Sequence, residues 1–102
     1  MSHHPIVPRE KLDFQLDAPD IPRYWFEGHA FKSRYFDALS TIFPEGERYF
    51  ISCVRDFRDR IADPKLRAEV KDFIRQEGQH GIVHNAYNDR LRRQGIDVDR
   101  LE

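Results

Sequence analysis

The stretch FIRQEGQHGIVHNAY, residues 73–87, places Glu77, His80 and His84 at spacings of three and four residues. On a helix those spacings return to one side, so a carboxylate and two imidazoles project together. With Phe73 set at zero on an ideal helix, Glu77, His80 and His84 fall at about 40°, −20° and 20°, and Leu91 near 0°. They stand at the centre of the apolar stripe made by Leu66, Val70, Phe73, Ile74, Tyr87 and Leu91. An ionised carboxylate on a buried face is costly unless it is paired or coordinated. Carboxylate oxygen combined with imidazole nitrogen suits a divalent metal, iron first, with manganese or zinc as alternatives.

A second carboxylate joins this set from another segment. Glu47 precedes Phe50, Ile51 and Val54 by three, four and seven residues and so shares their helical face. If the chain turns near Asp63, Glu47 lies about 16 residues before the turn and His80 about 17 after it, each roughly 25 Å along its helix. Glu47 and Glu77/His80 are then level across an antiparallel hairpin. A Glu facing Glu-x-x-His on a neighbouring helix is half of the di-metal carboxylate site of ferritin-like four-helix bundles. Such a centre can activate water or oxygen, so the ligands alone leave hydrolytic and redox chemistry open. His84 is either a further ligand or a general base, the residue to which a catalytic role is assigned. The alternative for these residues is a partly exposed hydrogen-bonded cluster without metal, and for His84 a satisfied core histidine.

Other titratable groups carry less. His80 and His84 form H-x-x-x-H, but Gly81 stands where a zincin needs Glu. His3 and His4 belong to the terminus, and His29 is suited to capping or starting a helix. Glu45 is favoured in a first helical turn by the backbone dipole. Cys53 has no sign of nucleophilic activation. RDFRDR, residues 55–60, reads as a solvated face laced with ion pairs. Gly78 and Gly81 each cost about 1 kcal/mol inside a helix, which points to close helix approach beside the ligands or to local flexibility.

The elements that position these groups are helical. Pro5, Pro8, Pro19 and Pro22 forbid a continuous helix near the start and predict an extended arm over residues 1–28. Trp25, Phe26 and Phe31 form its packing anchor. The recurrence of Phe31, Tyr35, Ala38, Leu39 and Ile42 predicts a helix over about 29–43. Pro44 is suited to the first turn of a second helix, about 44–62, with Phe50, Ile51, Val54, Phe57 and Ile61 as its stripe. Asp63 as N-cap and Pro64 at the first helical position begin a third, about 64–93, stopped by Gly95. The class is all-α: a shorter helix, then an antiparallel hairpin, as a half-bundle over 29–95 with a tail over 96–102. The third helix is too long for its partners to cover and calls for another pair.

Composition narrows the partners. Of 102 residues, 17 are basic and 18 acidic, for a formal charge of −1, so no global field favours nucleic acid or an anionic membrane. Eight Phe, four Tyr and one Trp suffice for a core, which argues against disorder. The single cysteine allows no intrachain disulfide, and no apolar run approaches a membrane span or a leader's apolar region. The expected location is cytoplasmic.

ALSTIFPEGERYFISCVRDF, residues 38–57, followed by DPKLRAEVKDFIRQEGQHGIVHNAYN, residues 63–88, resembles the bacterial family of predicted metal-dependent hydrolases. The likeness runs from about Pro5 onward and implies a ferritin-type helical protein. The positions it carries over are Glu47, Glu77, His80 and His84, acting on an unknown small-molecule substrate. A complete ferritin-like site needs a second Glu and a second Glu-x-x-His. The chain ends at GIDVDRLE, about where the next helix would begin, so the expectation is an N-terminal part of a longer protein or a homodimer that doubles the ligands. The competing function is a non-catalytic helical assembly module in which Glu47 pairs with His80.

Overall fold

The computed structural model describes residues 5–101, and His3 and His4 lie outside them. Three α-helices follow an irregular arm: α1 spans Ala30–Phe57, α2 Pro64–Arg93 and α3 Val98–Leu101. A short 3-10 turn, Arg58–Arg60, separates α1 from α2. Among the described residues there is no strand, and no helix is long and apolar enough to cross a membrane.

The helix boundaries follow local chemistry. His29 caps α1, its Nδ1 accepting from the Lys32 amide at 3.2 Å. Asp63 caps α2 by accepting from the Lys65 amide at 2.9 Å, with Pro64 opening the helix. At the far end of α2, Gly95 adopts φ +92, where a side chain would be strained. This lets the Ile96 amide bond to Leu91 O at 3.0 Å and the Gly95 amide to Arg92 O at 3.1 Å, a Schellman closure. The turned chain then seats Val98, which with Leu91 is fully buried.

Pro44 does not start a helix. The two expected helices over 29–43 and 44–62 are one, which runs through Pro44 and stops at Phe57. Proline deprives the carbonyl four residues earlier of its usual donor. That carbonyl belongs to Ser40, and the Asn88 side chain supplies the substitute: its Nδ2 donates to Ser40 O at 3.1 Å. Ser40 Oγ donates back to Asn88 Oδ1 at 2.9 Å. Both residues are buried, so the pair repairs the break where water cannot reach.

α1 and α2 pack antiparallel, with Asp37 opposite Arg90, Ser40 opposite Asn88, and Glu47 opposite His80 and Gly81. The buried face of α1 is not the expected aromatic one. It is Ser33, Asp37, Ser40, Thr41, Pro44 and Glu47, small or polar groups at three- and four-residue steps. Phe31, Tyr35 and Ile42 point outward, at 73%, 54% and 53% exposure. Phe50 and Phe57 are exposed as well, leaving Ile51 and Val54 half-buried beside Glu47.

The arm is tied down by side chains of α2 and of its C-cap, Gln94. Glu10 pairs with Arg75, Gln94 Nε2 donates to Ile21 O at 2.9 Å, and Arg93 donates to Leu16 O at 3.2 Å. Trp25 is its anchor, packing on Phe26, Phe36 and Tyr87. Phe31 is not part of that anchor and stacks instead on Tyr35.

Candidate metal centre

Where α1 and α2 face each other beyond Pro44, three side chains converge. A ligand atom from each of Glu47, His80 and His84 lies within 4.8 Å of the other two. Glu47 Oε1 is 3.7 Å from His84 Nε2 and 3.9 Å from His80 Nδ1. The two Nε2 atoms of His80 and His84 are 3.1 Å apart. Glu77 stands beside this trio rather than within it, with Oε2 3.8 Å from His80 Nδ1.

The three groups differ in surroundings. The Glu47 side chain is 8% exposed, His84 15% and His80 54%, so the site is deep on the α1 side and open over α2. Phe43 packs edge-on against the His84 ring, with centroids 4.9 Å apart. On the other edge of that ring, Nδ1 lies 3.0 Å from Ser40 Oγ. Gly81 faces Glu47 across the interface, and a Cβ built on it meets Oε2 at 3.3 Å. That contact is tight, so the glycine gives the carboxylate its room. Among the described residues nothing lies within 4 Å of a Cβ built on Gly78.

Electrostatics set the protonation states. Burial raises the Glu47 pKa above the ordinary carboxylate value; His80 opposes this and the nearby Glu77 adds to it. Burial lowers the His84 pKa below the ordinary imidazole value, and His80 lowers it further. His84 is therefore neutral at pH 7 and carries a lone pair. Both Glu47 oxygens are buried without a hydrogen-bond partner among the described residues. A buried carboxylate normally accepts donors on both oxygens, so this one has capacity that the chain does not fill. Two imidazoles and one carboxylate, with room on the open side, form a donor set for iron or zinc.

An open groove of ≈ 570 Å³ runs between the arm and α2 above the site, with Glu77, His80 and His84 among its lining. Val7, Leu12 and Phe14 from the arm and Val83 from α2 make its apolar wall. The other flagged groups stand elsewhere. His29 is spent on its cap, Glu45 pairs with Arg48 on the surface, and Cys53 is half-buried.

A second polar cluster, not anticipated from sequence, lies toward the N-terminal end of α1. Asp37, 3% exposed, accepts from Tyr87 Oη at 2.6 Å, Trp25 Nε1 at 2.9 Å and Arg34 Nη1 at 3.1 Å. The buried Arg90 guanidinium is 3.7 Å from Asp37 and lies over the Tyr87 ring at 4.4 Å. Burial, then the bond to Asp37, raises the Tyr87 pKa, which keeps the phenol a donor. This cluster binds arm to helices. Ser40 and Asn88 were also missed, although Pro44 signals that the Ser40 carbonyl needs a donor from outside its helix.

A model of the family described as predicted metal-dependent hydrolase matches residues 8–102, so the chain belongs to that family. No curated protein and no solved structure matches it.

Proposed function

We propose that this member of the metal-dependent hydrolase family binds a divalent ion through Glu47, His80 and His84 and hydrolyses a small molecule delivered along the groove. The observation that supports this most is the Glu47 carboxylate, buried, without a donor to either oxygen among the described residues, and facing two imidazoles. An ion held there supplies a Lewis acid and a water of lowered pKa. The chain's own groups divide the remaining work. Glu47 and His84 would hold the ion from the buried interface and His80 from the solvent side, and Glu77, its Oε2 3.8 Å from His80 Nδ1, would serve as proton acceptor. The apolar wall of Val7, Leu12, Phe14 and Val83 shields one side of the groove from water.

The finer form of the reading is a ferritin-like di-metal centre of iron, manganese or zinc. Glu77 would then be a ligand of a second ion, whose other ligands would come from two further helices of a second copy or of a longer chain. The outward-facing Tyr35, Ile42, Phe50 and Phe57 of α1 support a further helical layer. A reducing, cytoplasmic setting belongs to the same reading and rests on the single unpaired cysteine, Cys53.

Elemental analysis of protein purified without a histidine tag tests the site. The expected result is a stoichiometric transition metal that is lost in Glu47→Gln and His84→Ala while helix content is kept. A folded wild-type chain that neither retains nor takes up iron, manganese or zinc would overturn it. Uptake of ferrous iron followed by an oxygen-dependent absorbance change would assign the centre to oxygen chemistry rather than hydrolysis.

A further inference from the structure

We infer that Ser40 and Asn88 are positioning residues that fix which nitrogen of His84 carries its proton, and so present Nε2 as the ligand atom. The inference rests on the metal-site reading for its purpose, but its geometry is independent of any ion. It starts at Pro44. Because proline has no amide hydrogen, the Ser40 carbonyl inside α1 lacks its usual helical donor. The Asn88 atom 3.1 Å from that carbonyl must be a donor and is therefore Nδ2. This fixes the amide's orientation and leaves Oδ1 toward Ser40 Oγ at 2.9 Å.

An amide oxygen only accepts, so the hydroxyl hydrogen of Ser40 is committed to Asn88. Ser40 and Asn88 are 3% and 1% exposed, so water is not at hand to supply another donor. The second contact of Ser40 Oγ, to His84 Nδ1 at 3.0 Å, must then run the other way, with Nδ1–H donating and Oγ accepting. In a neutral imidazole with hydrogen on Nδ1, Nε2 carries the free lone pair. That is the atom facing Glu47 Oε1 at 3.7 Å and His80 Nε2 at 3.1 Å. A hydrogen bond on the far nitrogen is what generally sets tautomer and ring orientation in a metal-ligating histidine, and its loss weakens metal binding about ten- to hundredfold. Here the direction of the bond is imposed by an asparagine whose side-chain hydrogen bonds run to Ser40 and not to the histidine itself.

The test separates tautomer from metal. In metal-free, nitrogen-15-labelled protein, long-range proton–nitrogen spectra report which His84 nitrogen is protonated. Wild type is expected to show hydrogen on Nδ1. Asn88→Ala releases the Ser40 hydroxyl to donate to Nδ1, so the hydrogen is expected to move to Nε2. Asn88→Asp keeps an oxygen acceptor for Ser40 and is expected to keep hydrogen on Nδ1, which a purely structural role for the side chain would not predict. Zinc titration of the same samples should give about ten- to hundredfold weaker binding for Asn88→Ala. Wild type with hydrogen on Nε2, or a folded Asn88→Ala that retains the Nδ1–H form, overturns the relay whatever the metal result. The expected tautomers without zinc binding to wild type overturn the metal-site reading and with it the purpose given to the relay.

Discussion

Glu47 is the residue whose chemistry and whose contribution to folding pull in opposite directions. Its carboxylate is buried, without a donor among the described residues, and burial disfavours the ionised form and raises its pKa. Replacing it by the isosteric amide removes a buried charge, so Glu47→Gln is expected to stabilise the metal-free chain at pH 7 by about 1 kcal/mol while abolishing metal binding. The folded state holds the Glu47 proton above pH 4.5, where the unfolded chain has released it, so wild type loses stability as pH rises through that range. The advantage of Glu47→Gln in melting temperature should therefore grow from about pH 4 to about pH 7. His84 behaves in reverse: its lowered pKa means that stability falls as pH drops below the ordinary value of 6.5, in both proteins. Equal melting temperatures across that range would show that Glu47 is not buried as an acid. Gly81 offers a second opposition. Alanine is about 1 kcal/mol better than glycine inside a helix, but its Cβ stands 3.3 Å from Glu47 Oε2. Gly81→Ala is expected to keep or raise thermal stability and to weaken metal binding, read by titration beside thermal melts.

At the scale of elements, a buried carboxylate adds to the ring packing of Trp25 in holding the arm to the helix pair. Asp37 gathers Trp25, Tyr87, Arg34 and Arg90 at one buried point, and its removal leaves the Arg90 guanidinium buried without its anion. Removing one partner of such a pair typically costs about 3–5 kcal/mol. Asp37→Ala should show a loss of that order in denaturant unfolding, together with a red-shifted Trp25 emission as the arm loosens. Unchanged emission would mean that ring packing alone seats Trp25. The sequence revealed α2 well because its signals are local: Asp63 and Pro64 open it, Gly95 closes it, and no competing partner intervenes. The level placement of Glu47 opposite His80 was legible for the same reason, being set by a short turn and a fixed rise per residue. α1 was misread at Pro44 because the missing donor is replaced from Asn88, 48 residues away in the chain. Its inner face was misread because periodicity marks where apolar residues lie, not which neighbour covers them. Ser33, Asp37, Ser40 and Thr41 carry no apolar signal, yet all are buried, with Asp37 and Ser40 facing α2 and Ser33 accepting from the Phe26 amide of the arm.

At the scale of the whole molecule, the hairpin is long and thinly covered. Its extents are 49 × 28 × 23 Å and its radius of gyration 16.8 Å, against about 13 Å for a compact chain of 100 residues. Only Leu91 and Val98 are buried hydrophobics among the described residues, while α1 turns two apolar seams outward. Phe36, Phe43, Phe50 and Phe57 form one and Tyr35, Ile42 and Tyr49 the other, each with members seven residues apart. A seven-residue repeat keeps its side chains on one line, the condition for another helix to lie along it. Exposed apolar surface of this continuity is characteristic of an interaction face. For the 102-residue chain, light scattering is expected to give twice the mass of a single chain, and Phe50→Glu, placed in the middle of the aromatic seam, to give the single mass with helix content kept. Metal analysis on the same two samples then distinguishes the forms of the site. If association completes a shared two-ion centre, the monomeric variant binds less metal per chain; if Glu47, His80 and His84 suffice, the ratio stays at one. A wild-type chain that remains monomeric at high concentration would mean that these seams do not pair with a second copy, and would leave covering them to a further segment of a longer protein.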